Sequence, residues 1–326
     1  MNKKSLYLII SGLLIIFLVW LVSANTFSNR QQDQDSTETV KVAATIFPVY
    51  DIVRNVAGDM ADVELILAQG ASPHTFDPSP STLTKLQGSR LIFAIGQGVD
   101  SWTLNIADNV PGSRIVELDQ NIKLRASSDT HEEDKNEDGE HQDEEHAYEE
   151  AGDHDAHGDF DPHYWLNPKN AIIIANSIVS ELSNIDADNA AIYKANANAF
   201  IAKLNESDIS WQQKFKDIPT RDIVTFHDSF FYFAAHFGLN VVATFEPFPG
   251  KEPAPSYLKE LQEELAEYKI HTLFTEPQLS SGSLEQFAKD NNISIGVLDP
   301  LGGIDNRKSY IDLIDYNVQT VIQASK

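Results

Sequence analysis

Short apolar runs alternate with stretches of helical periodicity along most of this chain. Residues 40–46 form an apolar run; Pro48 then opens a helical pattern through Val56, which Gly58 ends. Residues 63–67 form a second strand-like run, followed by a loop over 70–81. A helix over 82–87, a buried-type strand over 90–95, a helix over 101–109 and a strand over 114–117 complete a first alternation. Strands that alternate with helices predict parallel sheets in an α/β fold.

A second alternation lies near the C-terminus. Strands are expected over 222–226, 240–244, 271–275 and 294–298, with helices over 229–237, 256–268, 283–291 and 308–323. Between the two sets, Asn167-Pro168 marks a helix start and the apolar pattern runs to Leu182. From Asp186 to Lys216 the chain is rich in Ala and Asn and holds neither Pro nor Gly, which predicts one helix of roughly 45 Å. The expected architecture is two (β/α) lobes with parallel sheets, 40–185 and 218–326, joined by one long backbone helix over 186–217. A ligand site is expected in the cleft between the lobes, because open α/β sheets bind ligands at the carboxyl ends of their strands.

One segment follows neither pattern. Between Asp129 and Asp161 stand five histidines and sixteen carboxylates against Lys135 alone. It supplies −15 of the formal net charge of −25, leaving a modestly acidic remainder. Residues 126–160 cannot bury enough apolar surface to order themselves, so a disordered loop is expected there. His131, His141, His146, His154 and His157 are spaced too irregularly for one rigid tetrahedral site. They suit a weak, flexible collector of divalent cations, or a solvated acidic spacer. The acidic balance excludes nucleic acid as a partner, since phosphate binding needs clustered Lys and Arg.

Lys3 and Lys4 precede an apolar stretch over 6–22, and Val22-Ser23-Ala24 has the small residues of a cleavage site. Residues 1–24 are thus expected to be an export signal or an uncleaved membrane anchor, with 25–39 a flexible tether. Either way the body of the protein is expected outside the cytoplasmic membrane. The chain has no cysteine, hence no disulfide, no thiolate zinc site and no lipid-bearing cysteine.

His74, His163 and His227 sit in loops just past strands or beside helix starts, and Asp299 directly follows residues 294–298. Three imidazoles and a carboxylate converging in the cleft would suit four-coordinate Zn²⁺. Taken singly, each is as readily a loop residue with structural hydrogen bonds. His236, late in a helix, reads as structural, as do His271 and the proline-flanked Glu246, Glu252 and Glu276. No nucleophile elbow, phosphate-cradling loop or His-Glu-x-x-His helix is present.

Five motifs resemble the metal-binding solute-binding proteins of ABC transporters, most closely the zinc branch. They are Gly70-Ala71-Ser72-Pro73-His74, Asp161-Pro162-His163-Tyr164-Trp165, Phe226-His227-Asp228-Ser229-Phe230, Thr275-Glu276-Pro277-Gln278 and Leu298-Asp299-Pro300-Leu301-Gly302. The resemblance implies that His74, His163 and His227 bind Zn²⁺ as transported cargo, with Asp299 the fourth ligand or its near neighbour. Other zinc members use water or another carboxylate there. The manganese branch commonly has glutamate where His227 stands, and imidazole suits Zn²⁺ better than Mn²⁺. A non-enzymatic, monomeric protein is expected, delivering Zn²⁺ to an ABC permease in the cytoplasmic membrane. The alternatives are a Mn²⁺ or Fe²⁺ carrier of the same fold and an extracytoplasmic zinc hydrolase.

Overall fold

Two four-stranded sheets, each wholly parallel, take up the apolar runs. The computed structural model describes residues 39–127, 159–246 and 250–326. The expected signal or anchor, most of the tether, and His131, His141, His146, His154 and His157 lie outside the described residues.

The first sheet contains β1 (Val40–Ala44), β2 (Ala61–Leu65), β3 (Leu91–Ala94) and β4 (Arg114–Glu117) in the order β2-β1-β3-β4. The second contains β5 (Asp222–Thr225), β6 (Asn240–Thr244), β7 (Thr272–Thr275) and β8 (Ser294–Val297) in the order β6-β5-β7-β8. The orders are equivalent, so each sheet reverses its winding between its two central strands. That reversal opens a crevice at their carboxyl ends, where ligands enter doubly wound sheets.

The first sheet's helices are α1 (Phe47–Ala57), α2 (Pro80–Leu86) and α3 (Thr103–Asn109). Residues 82–87 were expected to hold α2, but it starts two residues earlier. Pro80 occupies the first turn, where its missing N–H costs nothing, and the Ser79 hydroxyl accepts from the Thr82 amide. The helix α4 (Pro168–Ile185) begins at the expected Asn167-Pro168, with the Asn167 side chain accepting from the Lys169 amide.

The long helix differs from expectation at its start. Asp186 does not open it but caps the C-terminus of α4, and its carboxylate accepts from Asn189 and from the Tyr193 hydroxyl. A single 3₁₀ turn follows, and α5 then runs Ala190–Lys214, 25 residues, about 38 Å at 1.5 Å per residue. Its buried face is one stripe: Tyr193, Ala197, Phe200, Leu204, Asp208 and Trp211. Asn196 donates to the Val56 carbonyl in α1, and Trp211 donates to Asp315 of the last helix, α9 (Tyr310–Ala324). One helix therefore touches elements from both alternations. The remaining helices are α6 (Phe231–Phe237), α7 (Pro255–Glu267) and α8 (Gly282–Asp290).

The buried apolar core is continuous across the two halves. It runs from Val42 and Phe93 through Leu204 and Trp211 to Ile223, Phe274 and Val321. Burying each such large side chain is worth about 1.5–3 kcal/mol. Among the described residues no helix is long and apolar enough to cross a membrane.

Candidate metal centre

His74, His163 and His227 meet. Their ring centroids lie 5.7 Å (74 to 163), 5.5 Å (74 to 227) and 5.2 Å (163 to 227) apart. One nitrogen from each falls within 4.8 Å of the others. His163 and His227 are buried and His74 is half-buried.

Each histidine is delivered by a separate element. His74 sits in a 3₁₀ turn, Pro73–Thr75, pinned where the Trp102 indole donates to the Pro73 carbonyl at 3.2 Å. Phe76 packs edge-on against the same indole. His163 precedes a 3₁₀ turn, Tyr164–Leu166, that leads into α4. Tyr164 donates to the Ile95 carbonyl at 2.7 Å, and Trp165 donates to the Pro300 carbonyl at 2.8 Å. His227 lies two residues past β5, a central strand of the second sheet, at the crevice.

Two of the rings are oriented by carboxylates. Nδ1 of His227 is 2.6 Å from Oε1 of Glu276, which also accepts from the Ser229 hydroxyl. Nδ1 of His163 is 2.9 Å from Oδ1 of Asp161, which also accepts the His163 backbone N–H. A carboxylate at Nδ1 holds the proton there and leaves the Nε2 lone pair free to bind a metal. Nε2 of His227 is buried and has no hydrogen-bond partner. A buried imidazole nitrogen with nothing to bond is costly in the protein alone, and a cation answers it. Burial pushes the His227 imidazole down; Glu276 pushes it up, and the balance lies above the ordinary histidine value.

The rings line a cavity of about 10 Å³ shared with Ser72, Trp165, Glu276, Gln278 and Leu301. That is space for one water or one small ion.

Asp299 is not part of this group. Its Oδ2 lies 2.8 Å from Nε of Arg307, and its Oδ1 accepts from Gln278 and from the amides of Leu301 and Gly302. The reason is topological: Asp299 follows β8, an edge strand, whereas Glu276 directly follows β7, the neighbour of β5. Asp299 reaches the cavity indirectly, by holding the amide of Gln278. Glu276, expected to be structural, is with Asp161 one of two carboxylates that face cluster histidines. Its sequence signal was the one His227 also carries, a polar side chain just past a strand.

The other candidates behave as structural residues. Nε2 of His236 is 2.6 Å from Asp208, which Lys169 also pairs at 2.9 Å. His271 and Glu252 are exposed. Glu246 is buried, accepts the Gly250 amide at 2.7 Å and is pushed up by burial.

The acidic segment has a built base. Ala126 and Phe160 form an antiparallel bridge, with the Ser127 amide on the Asp159 carbonyl and the Asp161 amide on the Arg125 carbonyl. The Tyr232 hydroxyl of α6 accepts from the Arg125 amide and donates to the Asp161 carbonyl. The Arg125 guanidinium lies 3.6 Å over the Phe231 ring. This stem ends at Asp161, the residue that holds His163.

The family model for the periplasmic component A of the zinc-uptake complex, ZnuA, matches residues 42–324. The zinc-binding lipoprotein AdcA of Streptococcus pneumoniae is 28% identical over 99% of this chain and 61% of its own length. The chain thus spans about three-fifths of that relative. The metal ABC transporter substrate-binding lipoprotein SsaB of Streptococcus sanguinis is 29% identical, covering 87% of each chain. A crystal structure of a Zn(II)-bound mutant variant of AdcAII from Streptococcus pneumoniae superposes with a TM-score of 0.72 at 26% identity. It covers 89% of this chain and 99% of that one.

Proposed function

The chain belongs to the family of the periplasmic component A of the zinc-uptake complex, and from that premise we propose that it captures Zn²⁺ outside the cytoplasmic membrane and passes it to an ABC permease. The ligands in this reading are His74, His163 and His227, the last two through Nε2. The observation that carries it is the buried, unpartnered Nε2 of His227 facing two further imidazoles.

The donor set favours zinc. Three neutral nitrogens suit Zn²⁺, whereas Mn²⁺ and Mg²⁺ favour carboxylate and carbonyl oxygen. The nearby carboxylates are turned to other work: Asp161 and Glu276 to Nδ1 atoms, Asp299 to Arg307. The names of AdcA and of the zinc-bound AdcAII variant agree with this choice of cargo. A cavity of about 10 Å³ is the size of one ion, which supports a carrier over a hydrolase. The protein acts as a monomer, with lobes 40–185 and 218–326 linked by α5.

Isothermal titration of Zn²⁺ into the wild type and the His74→Ala, His163→Ala and His227→Ala variants tests the reading. Loss of a carboxylate behind a ligating histidine costs about 10–100-fold in metal affinity, so loss of the histidine itself should exceed that. Retention of tight zinc binding by all three variants would overturn it.

A further inference from the structure

Glu276 stands behind the histidine cluster with no Lys or Arg beside it among the described residues, and its one basic neighbour is the imidazole of His227 itself. Glu276 is 3% exposed. Its partners are Nδ1 of His227 and the hydroxyl of Ser229. The neighbouring carboxylates differ. Asp299 is paired with Arg307 at 2.8 Å, and Asp161 has Arg125 at 3.6 Å. A buried carboxylate that lacks a cation is strongly unfavourable, and a positive charge placed nearby relieves it.

The place for that charge is set by the ring between them. Nδ1 of His227 faces Glu276, and Nε2 faces the cavity shared with His74 and His163. A metal ion on Nε2 is one imidazole away from an uncompensated negative charge. Coulomb energy scales with the product of the charges, so a dication gains twice what a monocation gains from the same carboxylate.

We propose that Glu276 is the positioning residue that sets the charge specificity of the site, fixing His227 and favouring divalent over monovalent metal ions. This rests on the reading that the three imidazoles hold the metal. It assigns Glu276 a role that orientation of the ring alone does not explain. The hydroxyl of Ser229 could not supply it, and neither could a neutral amide in place of the carboxylate.

The test is to measure two d¹⁰ ions at one pH on wild type, Glu276→Gln and His227→Ala. Zn(II) is measured by competition with a chromophoric chelator, and Cu(I) anaerobically with a Cu(I)-selective chelator. Glu276→Gln keeps the side chain's size and an acceptor for Nδ1 but removes the charge. Zn(II) affinity should fall by about 10–100-fold, the range for such substitutions. Cu(I) affinity should fall by the square root of that factor, about 3–10-fold, so the preference for Zn(II) shrinks by about 3–10-fold. A ring merely turned away would weaken both ions equally, and that result overturns the proposal, as does a Zn(II) loss below about threefold. Should Glu276→Gln not fold by circular dichroism, Glu276→Asp replaces it. That variant keeps the charge and should keep the wild-type Zn(II)/Cu(I) ratio, and a collapsed ratio there overturns the proposal. Failure of the underlying reading has a different signature: His227→Ala would hold Zn(II) as tightly as wild type.

Discussion

Nδ1 of His227 lies 2.6 Å from Oε1 of Glu276, although 49 residues separate them along the chain. They meet because β5 and β7 are hydrogen-bonded neighbours and each residue follows the carboxyl end of its strand. The contact fixes which nitrogen of His227 faces the cavity. It also brings a proton and a metal ion into competition for that nitrogen.

Zinc affinity should therefore fall on acidification sooner than an ordinary histidine would dictate. Burial disfavours the His227 imidazolium, but Glu276 outweighs burial and the pKa is raised. The proton must leave before Zn²⁺ binds, so affinity is lost as pH drops below that raised value, with onset above about 6.5. In Glu276→Gln burial is opposed only by the weaker pull of Asp228 and Asp161, and the onset should move to lower pH. Chelator competition between pH 8 and 5.5 measures both curves. A wild-type onset below that of the variant would contradict the sign.

Asp299→Asn should act on stability first. It leaves the Arg307 guanidinium, 5% exposed, without its closest anion, although Asp305 remains at 3.0 Å. Breaking a buried pair in this way costs about 3–5 kcal/mol, and the surviving Asp305 contact argues for the lower end. Zinc affinity should change less than in any of the three histidine variants. Urea denaturation of the metal-free protein and zinc titration of the same variant check the two halves separately.

Removing residues 129–157 while keeping the stem should leave tight zinc binding within about tenfold of wild type. The stem is held by its own bridge, by Tyr232 and by Arg125 over Phe231, and it is the stem that carries Asp161 to His163. Replacing Asp161 by Asn in the intact chain should weaken zinc by more than the deletion does. Titration of both proteins decides; a larger loss from the deletion would assign the tight site to His131, His141, His146, His154 or His157.

Release of the metal should involve little movement of one lobe against the other. The core is continuous across α5, and the halves are stitched beside the site. Trp165 bonds Pro300, Tyr310 donates to the Trp165 carbonyl, and the Tyr310 amide bonds Asp51 in α1. Spin labels on α3 and α8 should report distance distributions that shift by no more than about 2–3 Å between metal-free and zinc-loaded protein. Shifts beyond that scale would mark hinge closure.

Much of the architecture was legible because strand and helix periods differ and because Gly58 and Asn167-Pro168 punctuate them. Their places after strands and before helices made the three histidines candidates, and only the family resemblance singled them out. Strand order was not. Nothing local says that β7 lies beside β5 and that β8 lies at the edge, and that order makes Glu276 the partner of His227 and leaves Asp299 to Arg307. The start of α5 was misread for a local reason. Asp186 favours helix starts, yet here its carboxylate turns to Tyr193 and Asn189 and closes the previous helix.

The central claim is that one zinc ion sits among His74, His163 and His227. Anomalous diffraction at the zinc edge, from crystals of the full chain loaded with one equivalent of Zn²⁺, tests it most directly. The account predicts a single strong peak about 2.0–2.1 Å from one nitrogen of each ring, Nε2 in His163 and His227. A principal peak ligated by Asp299, or by the histidines between 131 and 157, would contradict it.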